Sequence, residues 1–390
     1  MSGVEAALRL EAARRRLAGE SPEAIGRDLG RTRQWVAKWA ARYDPQDPFW
    51  AEGRSRAPKR VANRTSEDVV AQVLAVRSRL EENPWAQVGG DAIAWELEKL
   101  GGLVPPLRTI ERILFRAGAT RSQRSGGRRV SKGIPYPAPP AERQGDVVQV
   151  DLVGPRHLDG GVRFHALNQI DVASRHAGIE IITDRDDETV LAGLHALWER
   201  HGVPQRVQFD NGGPFISPTG VGEVVRVCLH QRIVPVFIPP REPWRNGTIE
   251  HFNDTFDKRF FRQERFTGLE QLAGRASAFE RFHNTQHRYK ATNGLTPEET
   301  TTTVKPRSPL TAEKIPAGWP EHGQVEFIRF IRSDHRLRVL GRSIPMPDGT
   351  AYQYVTAVLD LALIDRENLH VSDTDGQLLT TARLHTPRRR

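Results

Sequence analysis

The sequence predicts a multidomain protein whose fold class changes twice along the chain. α-Helical units come first, then an α/β domain with a mixed sheet, then a small all-β barrel. The first 120 residues carry apolar side chains at helical spacing. Residues 145–300 alternate short apolar runs with helical stretches, and residues 325–372 carry short β-type runs separated by turns. At 390 residues the chain also exceeds what one hydrophobic core usually serves.

Composition narrows the class of partner. Lys and Arg total 57 against 48 Asp and Glu, a formal charge of +9, which favours a polyanion such as nucleic acid over a plain solvated basic surface. Cys228 is the only cysteine, which excludes an intrachain disulfide and a cysteine zinc site. No apolar run approaches the roughly 20 residues that span a bilayer, and residues 1–19 are too charged for a signal peptide. We therefore expect a cytoplasmic protein with no membrane partner.

Residues 1–44 predict a helix-turn-helix domain. Apolar spacing predicts a first helix over Val4–Ala18, Ser21 followed by Pro22 is a typical helix start, and a basic helix covers Thr32–Tyr43. In this motif the last helix enters the major groove of DNA. A plain three-helix bundle is the alternative. The side chains expected to face DNA are Thr32, Arg33, Gln34 and Lys38.

A linker at residues 45–64, rich in proline and arginine, precedes a second helical unit at residues 65–120. Helical spacing predicts three helices there, as in a second helix-turn-helix or a winged-helix-like domain. The alternative is a unit that packs only against protein. The side chains of the last helix that are expected to contact DNA are Arg108, Thr109, Arg112 and Arg116.

Residues 121–142 form a basic, proline-containing linker that cannot build a core of its own. Within it, Arg128 and Arg129 are expected to contact DNA phosphates. The domains predicted after this linker are the α/β domain at residues 143–304, the barrel at residues 305–385 and a basic tail at residues 386–390.

The α/β domain places three acids where they can meet. Its first β-type runs are joined by short polar turns, which predicts an antiparallel meander, and helices connect the later strands, which are expected to pair in parallel. Asp151 ends the first strand, Asp210 ends the fourth, and Glu250 lies on the helix that follows Asn246-Gly247. If the first and fourth strands are neighbours, the three carboxylates meet at one edge of the sheet. The alternative is that the aspartates are turn formers and the glutamate is solvated.

Three neighbouring carboxylates imply a bound cation, because their mutual repulsion raises the pKa of at least one of them unless a positive charge lies between them. Mg²⁺ takes oxygen ligands and leaves positions for water and phosphate oxygens, and Mn²⁺ is a possible substitute. Such ions activate an attacking water and stabilise the leaving oxygen of a phosphodiester. Asp171, at the end of the second strand, is the nearest rival. His283 and His287 lie four apart with no third ligand in sight, which favours structural or DNA-contact roles.

Several motifs in this stretch occur together in the same order. They are Gln149-Val150-Asp151, Phe209-Asp210-Asn211-Gly212, Pro243-Trp244-Arg245-Asn246-Gly247-Thr248-Ile249-Glu250, Phe282-His283-Asn284 and Leu295-Thr296-Pro297-Glu298. With these motifs the chain resembles DDE-type transposases and integrases: bacterial insertion-sequence transposases whose catalytic core is like that of retroviral integrases. His251, Asn253 and Asp254 stand where the family often has basic residues after its third acid. The DNA contacts expected near this helix are Asn246 and Lys258.

The resemblance implies a ribonuclease-H-like core in which Asp151, Asp210 and Glu250 are the catalytic residues and the Mg²⁺ ligands. It implies a transposase that binds the terminal repeats of a mobile element, hydrolyses a phosphodiester there and transfers the strand into target DNA. The implied partners are both DNAs and further copies of the chain, in a bacterial cytoplasm and on the nucleoid when bound. The alternatives are an inactive, domesticated transposase that regulates by binding DNA, and a ribonuclease-H-like nuclease without strand transfer.

Overall fold

The computed structural model describes residues 3–52, 64–120, 133–213, 215–217, 220–301, 307–363 and 368–384. The chain divides into two compact units, Met1–Ser66 and Glu67–Arg390. The predictions for Arg128, Arg129 and the basic tail lie outside the described residues.

The first unit is helical, as predicted. Its helices are α1 (Gly3–Leu17), α2 (Pro22–Asp28) and α3 (Arg33–Ala40). Ser21 and Thr32 cap α2 and α3 by accepting hydrogen bonds from backbone amides of the first turn. Gly30, at φ 63°, makes the left-handed turn between these two helices. The apolar centre of the unit consists of Ala12, Ile25 and Val36.

The second unit begins with three more helices, again as predicted: α4 (Glu67–Glu81), α5 (Gly90–Lys99) and α6 (Leu107–Arg116). We call them the second helical unit. Their apolar faces enclose Val73, Val76, Ile93, Leu97, Ile110, Ile113 and Leu114. Because α6 buries only one face, its arginines remain on the surface.

A mixed sheet forms the centre of the second unit and confirms the predicted ribonuclease-H-like arrangement. Its elements are β1 (Val147–His157), β2 (Arg163–Asp171), β3 (Ala177–Ile182), α7 (Asp187–His201), β4 (Arg206–Phe209), β5 (Ile216–Ser217), β6 (Gly220–Val221), α8 (Glu223–His230), β7 (Val234–Phe237), a 3-10 turn (Pro243–Asn246), α9 (Gly247–Thr255), a π-helical segment (Phe256–Phe261) and α10 (Leu269–Gln286). β1, β2 and β3 form the antiparallel meander, while β4 pairs in parallel with β1 and with β7.

Helices cover both faces of this sheet. Since successive residues of a strand point to opposite faces, β2 sends Leu167 into a cluster with α7 and α8, and sends Ala166 and Ile170 into a cluster with α9 and α10. β4 ends at Phe209, whereas β1 continues to His157 beyond its parallel pairing with β4. Of the helices in the described part of the chain, none is long and apolar enough to cross a membrane.

The carboxyl-terminal region is all-β, as predicted, but it is not a separate barrel. Its strands are β8 (Gln324–Phe330), β9 (Arg336–Val339), β10 (Arg342–Pro345), β11 (Tyr354–Asp360), β12 (Leu369–Ser372) and β13 (Leu378–Ala382). β8 pairs with β7, and the strands run in the order β13-β12-β11-β8-β7-β4-β1-β2-β3 in one sheet. The physical reason is the unpaired edge of β7, whose backbone groups gain partners when β8 covers it.

Candidate active site

Asp151 and Asp210 lie at the same level of neighbouring strands. β1 and β4 pair in parallel, with Gln149 opposite Gln208. Each aspartate follows its glutamine by two residues, so both carboxylates leave the sheet on the face that the glutamines occupy. Asp151 lies within β1, which continues to His157, so the prediction that Asp151 ends the first strand is wrong. Asp210 immediately follows the last residue of β4, as predicted.

The charge on Asp151 is disfavoured by its surroundings. Burial raises the pKa of this carboxyl, and the negative charges of Asp210 and Glu250 raise it further. The Leu152 amide and the Asn253 side chain act in the opposite direction by donating hydrogen bonds to it. The three acids are therefore close enough for their charges to interact.

Two buried glutamines tie the start of the Glu250 helix to the sheet. The Gln149 Oε1 atom accepts hydrogen bonds from the amides of Thr248 at 3.1 Å and Ile249 at 3.0 Å. The Gln208 Nε2 atom donates to the Arg245 carbonyl at 3.1 Å and to Asn246 Oδ1 at 2.8 Å. The glutamines are 6% and 3% exposed. Each aspartate-bearing strand thus also holds the segment that carries the third acid.

Neither glutamine was predicted from the sequence to be a functional residue, although a signal was present. The pattern Gln-x-Asp occurs within β1 as Gln149-Val150-Asp151 and at the end of β4 as Gln208-Phe209-Asp210. Residues two apart on a strand share a face. A polar side chain beside each acid on a buried strand therefore indicates a hydrogen-bonded partner above the sheet.

Asn253 connects the Glu250 helix to Asp151 a second time. Its Nδ2 atom donates to Asp151 Oδ2 at 2.7 Å, and its Oδ1 atom accepts from Asn168 Nδ2 at 2.8 Å. Asn168 is fully buried and lies opposite Asp151 on β2. This chain of hydrogen bonds fixes the orientation of the Asp151 carboxylate.

The remaining residues near the Glu250 helix differ in how accessible they are. Glu250 is exposed. Lys258 is exposed as well and forms an ion pair with Asp254 at 2.7 Å. Asn246 is 3% exposed, and its side chain oxygen accepts the hydrogen bond from Gln208. The predicted DNA contact of Asn246 is therefore corrected: this side chain is buried because it anchors the helix start.

The rival residues have structural partners. Asp171 is buried and accepts hydrogen bonds from the Gly145 amide at 2.7 Å and from the Ser174 amide and hydroxyl. His283 is fully buried and bonds through Nε2 with the Tyr289 hydroxyl at 2.7 Å. These side chains stabilise the end of β2 and the end of α10.

Within the described residues, no group of three or more His, Cys, Asp or Glu side chains is arranged so that it could hold a metal ion. Two of the acids have hydrogen-bond partners within the protein. Asn253 and the Leu152 amide occupy both Asp151 oxygens, and Asp210 Oδ1 accepts from the Gly212 amide at 2.8 Å. The three carboxylates are neighbours here without forming a closed ligand set.

The side chains predicted to face DNA on α3 and α6 are mostly on the surface. Gln34 and Lys38 are exposed, Thr32 caps α3, and Arg33 forms an ion pair with Glu23 at 3.1 Å. On α6 the exposed arginines are Arg108, Arg112 and Arg116, and Thr109 is half-buried.

Comparisons with known families agree with this architecture. Residues 4–49 match the family described as "Homeodomain-like domain", and residues 231–297, which include Glu250, match "Integrase core domain". The fold and these matches define a protein with an amino-terminal helix-turn-helix region and an integrase-type core. The resemblance to DDE-type transposases and integrases is thereby confirmed.

Solved structures similar to the chain include three retroviral ones. The HTLV-2 integrase catalytic core domain in complex with magnesium (dimeric form) is 13% identical over 41% of this chain and 99% of its own, with a TM-score of 0.33. The simian T-cell lymphotropic virus intasome is 14% identical over 77% of this chain and 96% of its own, with a TM-score of 0.38. The BIV integrase catalytic core domain is 16% identical over 40% and 92%, with a TM-score of 0.32.

Proposed function

We propose that this protein is a DNA transposase of the DDE type. It binds the terminal repeats of a mobile element, hydrolyses a phosphodiester at each element end, and uses the released 3′ hydroxyl to attack target DNA. The observation that carries the proposal is that Asp151 and Asp210 each stand two residues past the paired Gln149 and Gln208 of parallel strands, with the Glu250 helix tied to the same two strands. An integrase-type core of this kind belongs to enzymes that cut or transfer nucleic acid strands.

Asp151, Asp210 and Glu250 are the residues that would hold Mg²⁺, or Mn²⁺ in its place. The donor set fits, because three carboxylates offer the oxygen ligands that Mg²⁺ prefers. The raised pKa of Asp151 also fits, since a cation relieves the repulsion among three acids. When bound, the ion activates the attacking oxygen and stabilises the leaving oxygen of a phosphodiester.

The chain's own residues orient these ligands. Gln149 and Gln208 hold the start of α9, and Asn253 holds the Asp151 carboxylate. Glu250 is exposed at the start of that helix, so its carboxylate is free to turn towards the sheet edge. This division of roles places two ligands on rigid strands and the third on a tethered helix.

DNA recognition falls to the helical domains. The helix-turn-helix region at residues 1–44 and the second helical unit would bind the terminal repeats, with α3 and α6 facing the duplex. Two element ends must be joined to one target, so we propose that several copies of the chain assemble on DNA. This would take place in a bacterial cytoplasm, on the nucleoid.

The test is a cleavage and joining assay with labelled element ends, a target plasmid and Mg²⁺. Glu250→Gln should abolish nicking and joining while the affinity for the ends stays unchanged, because the amide keeps the shape and loses the charge. Asp254→Asn, four residues further along the same helix and exposed, is the matched control and should keep both activities.

Each outcome discriminates between functions. Binding without nicking in the unaltered protein would identify a DNA-binding regulator. Nicking without joining would identify a nuclease. Full activity of Glu250→Gln would contradict the assignment of the third acid.

A further inference from the structure

The second helical unit is attached to the integrase-type core through the loop between α4 and α5. Trp85 in this loop packs edge-on against Phe279 and Phe282, with ring centroids 5.7 and 5.6 Å apart, and against Phe260 at 6.2 Å. The Arg275 guanidinium lies 4.6 Å from the centroid of the Trp85 ring. An aromatic ring enclosed in this way is fixed by packing and by its cation–π contact.

Polar contacts close the same junction. The Trp85 indole donates to Glu264 Oε1 at 2.9 Å, and the Trp85 carbonyl accepts from His287 Nε2 at 2.8 Å. Gln87 and Arg288 exchange two hydrogen bonds: the Gln87 side chain donates to the Arg288 carbonyl at 3.1 Å and accepts from the Arg288 amide at 2.8 Å. We call Trp85 and Gln87, with these partners, the clamp.

The clamp contacts the same helical segment that carries Glu250. Phe260 and Arg259, which contacts the Ala86 carbonyl, belong to the π-helical continuation of α9. Glu250 lies at the start of that segment, ten residues before Phe260. A movement of the second helical unit would therefore be passed directly to the third acid.

The clamp leaves the α6 arginines exposed. Arg108, Arg112 and Arg116 follow one another at four-residue spacing, so they form one stripe along the helix. None of the three forms an ion pair with an acid among the residues that the structure describes. A stripe of unpaired guanidinium groups opposite a buried apolar face has the chemistry to bind duplex phosphates.

We propose that the second helical unit fixes the cleavage position. It binds the duplex of an element end through the α6 arginines, and the clamp holds that duplex at a set distance from the carboxylates. This inference rests on the proposed function. It favours a DNA-binding unit over one that packs only against protein, because the loop packs against the core while the α6 arginines remain exposed.

The duplex contact is tested by the salt dependence of binding to the full chain. The triple variant Arg108→Ala, Arg112→Ala, Arg116→Ala should weaken binding and reduce the slope of log affinity against log salt by about 3, one counterion per lost phosphate contact. Arg79→Ala is the matched control, since Arg79 is an exposed arginine of the same unit that pairs with Glu96 at 2.8 Å. An unchanged slope in the triple variant would overturn the α6 contact.

The fixed distance is tested with a DNA-cleaving iron chelate attached at position 250. Cys228, the only cysteine of the chain, is fully buried and burial raises the pKa of its thiol, so Glu250→Cys provides the reactive thiol for labelling. Because cysteine replaces Glu250, the labelled protein lacks the third acid. The iron chelate, and not the protein's own site, then cuts the DNA that lies next to position 250. A chelate on Glu188→Cys, an exposed position of α7 on the opposite face of the sheet, is the control that should leave the ends uncut.

We expect sharp chelate cuts with the intact clamp. Adding Trp85→Ala or Gln87→Ala should spread the cuts over at least about twice as many nucleotides, because the helical unit then opens locally. Gln271→Ala, an exposed amide on α10 that bonds only near its own helix start, should leave the pattern unchanged. Gln87→Ala removes no ring from the core, so it keeps the test valid if Trp85→Ala fails to fold.

Two results distinguish this inference from the proposed function. Unchanged, sharp cuts in the folded clamp variants would overturn the inference, whatever the catalytic activity. Absence of Mg²⁺-dependent nicking in the unaltered protein, together with chelate cuts that broaden as expected, would overturn the proposed function, while the holding of the duplex by the clamp would stand.

Discussion

Replacing Gln149 with leucine removes the side-chain oxygen that the Thr248 and Ile249 amides share. These amides lie in the first turn of α9, where the helix itself offers no acceptor. Ile249 is fully buried, so its amide cannot recover a hydrogen bond from bulk water. The change therefore loosens the part of the helix that begins two residues before Glu250.

The expected loss of unfolding free energy follows from the number of backbone amide donors left without a partner. A buried unsatisfied donor costs about 1–3 kcal/mol, and Thr248 is only half-buried. We expect Gln149→Leu to lower the free energy of unfolding by about 2–4 kcal/mol. A displacement of Glu250 by about 1 Å would lower the nicking rate by about 100-fold.

Chemical denaturation and the Mg²⁺-dependent nicking assay measure the two effects. Gln205→Leu is the matched control, since Gln205 is exposed and bonds through its side chain to Asp146.

A loss of unfolding free energy below about 1 kcal/mol in Gln149→Leu, with an unchanged nicking rate, would show that Gln149 does not tether α9. Equal losses in Gln149→Leu and Gln205→Leu would show the same, because the effect would then not depend on the tether.

Three further predictions address the pH dependence of stability, the need for divalent ions and the stability of the first unit. Burial lowers the pKa of His176 and His287 to about 4, so the unfolded chain takes up protons at a higher pH than the folded one. The free energy of unfolding should therefore fall as the pH is lowered from 6.5 to 4, by up to about 3 kcal/mol per histidine. A free energy of unfolding that stays constant over this pH range in a denaturation series would contradict this prediction. Removing divalent ions with EDTA should stop nicking while gel-shift affinity for the ends persists; nicking in EDTA would disprove metal dependence. Thr32→Ala removes the α3 cap and should destabilise the first unit by about 1 kcal/mol in thermal unfolding, whereas Thr285→Ala, on exposed α10 surface, should not affect that unit.

Local patterns in the sequence were sufficient to predict the strands and the helix that carry the three acids. The strand that ends near Asp210 and the helix of Glu250 were predicted because apolar periodicity and turn residues act over a few positions. The sequence predicted that Asp151 and Asp210 would lie side by side if β1 and β4 were neighbours, and the structure shows that these two strands pair.

Long-range pairing decided what local patterns could not. The carboxyl-terminal strands were predicted correctly as β-structure, yet their joining to β7 depends on which sheet edge is unpaired, and that edge exists only in the folded chain. Asn246 was predicted to contact DNA because it belongs to a motif. Its burial follows from Gln208, a residue 38 positions away that reaches it only across the fold.

By itself the sequence determined the succession of helical, α/β and β regions, the three acids and the resemblance that connects them, since each is written in short-range spacing and residue type. Only the tertiary structure decided that Gln149 and Gln208 tether the Glu250 helix and that Trp85 attaches the second helical unit to it. Those contacts join residues far apart in the chain, and a hydrogen bond or a packed ring contributes only when both partners are brought within a few ångströms.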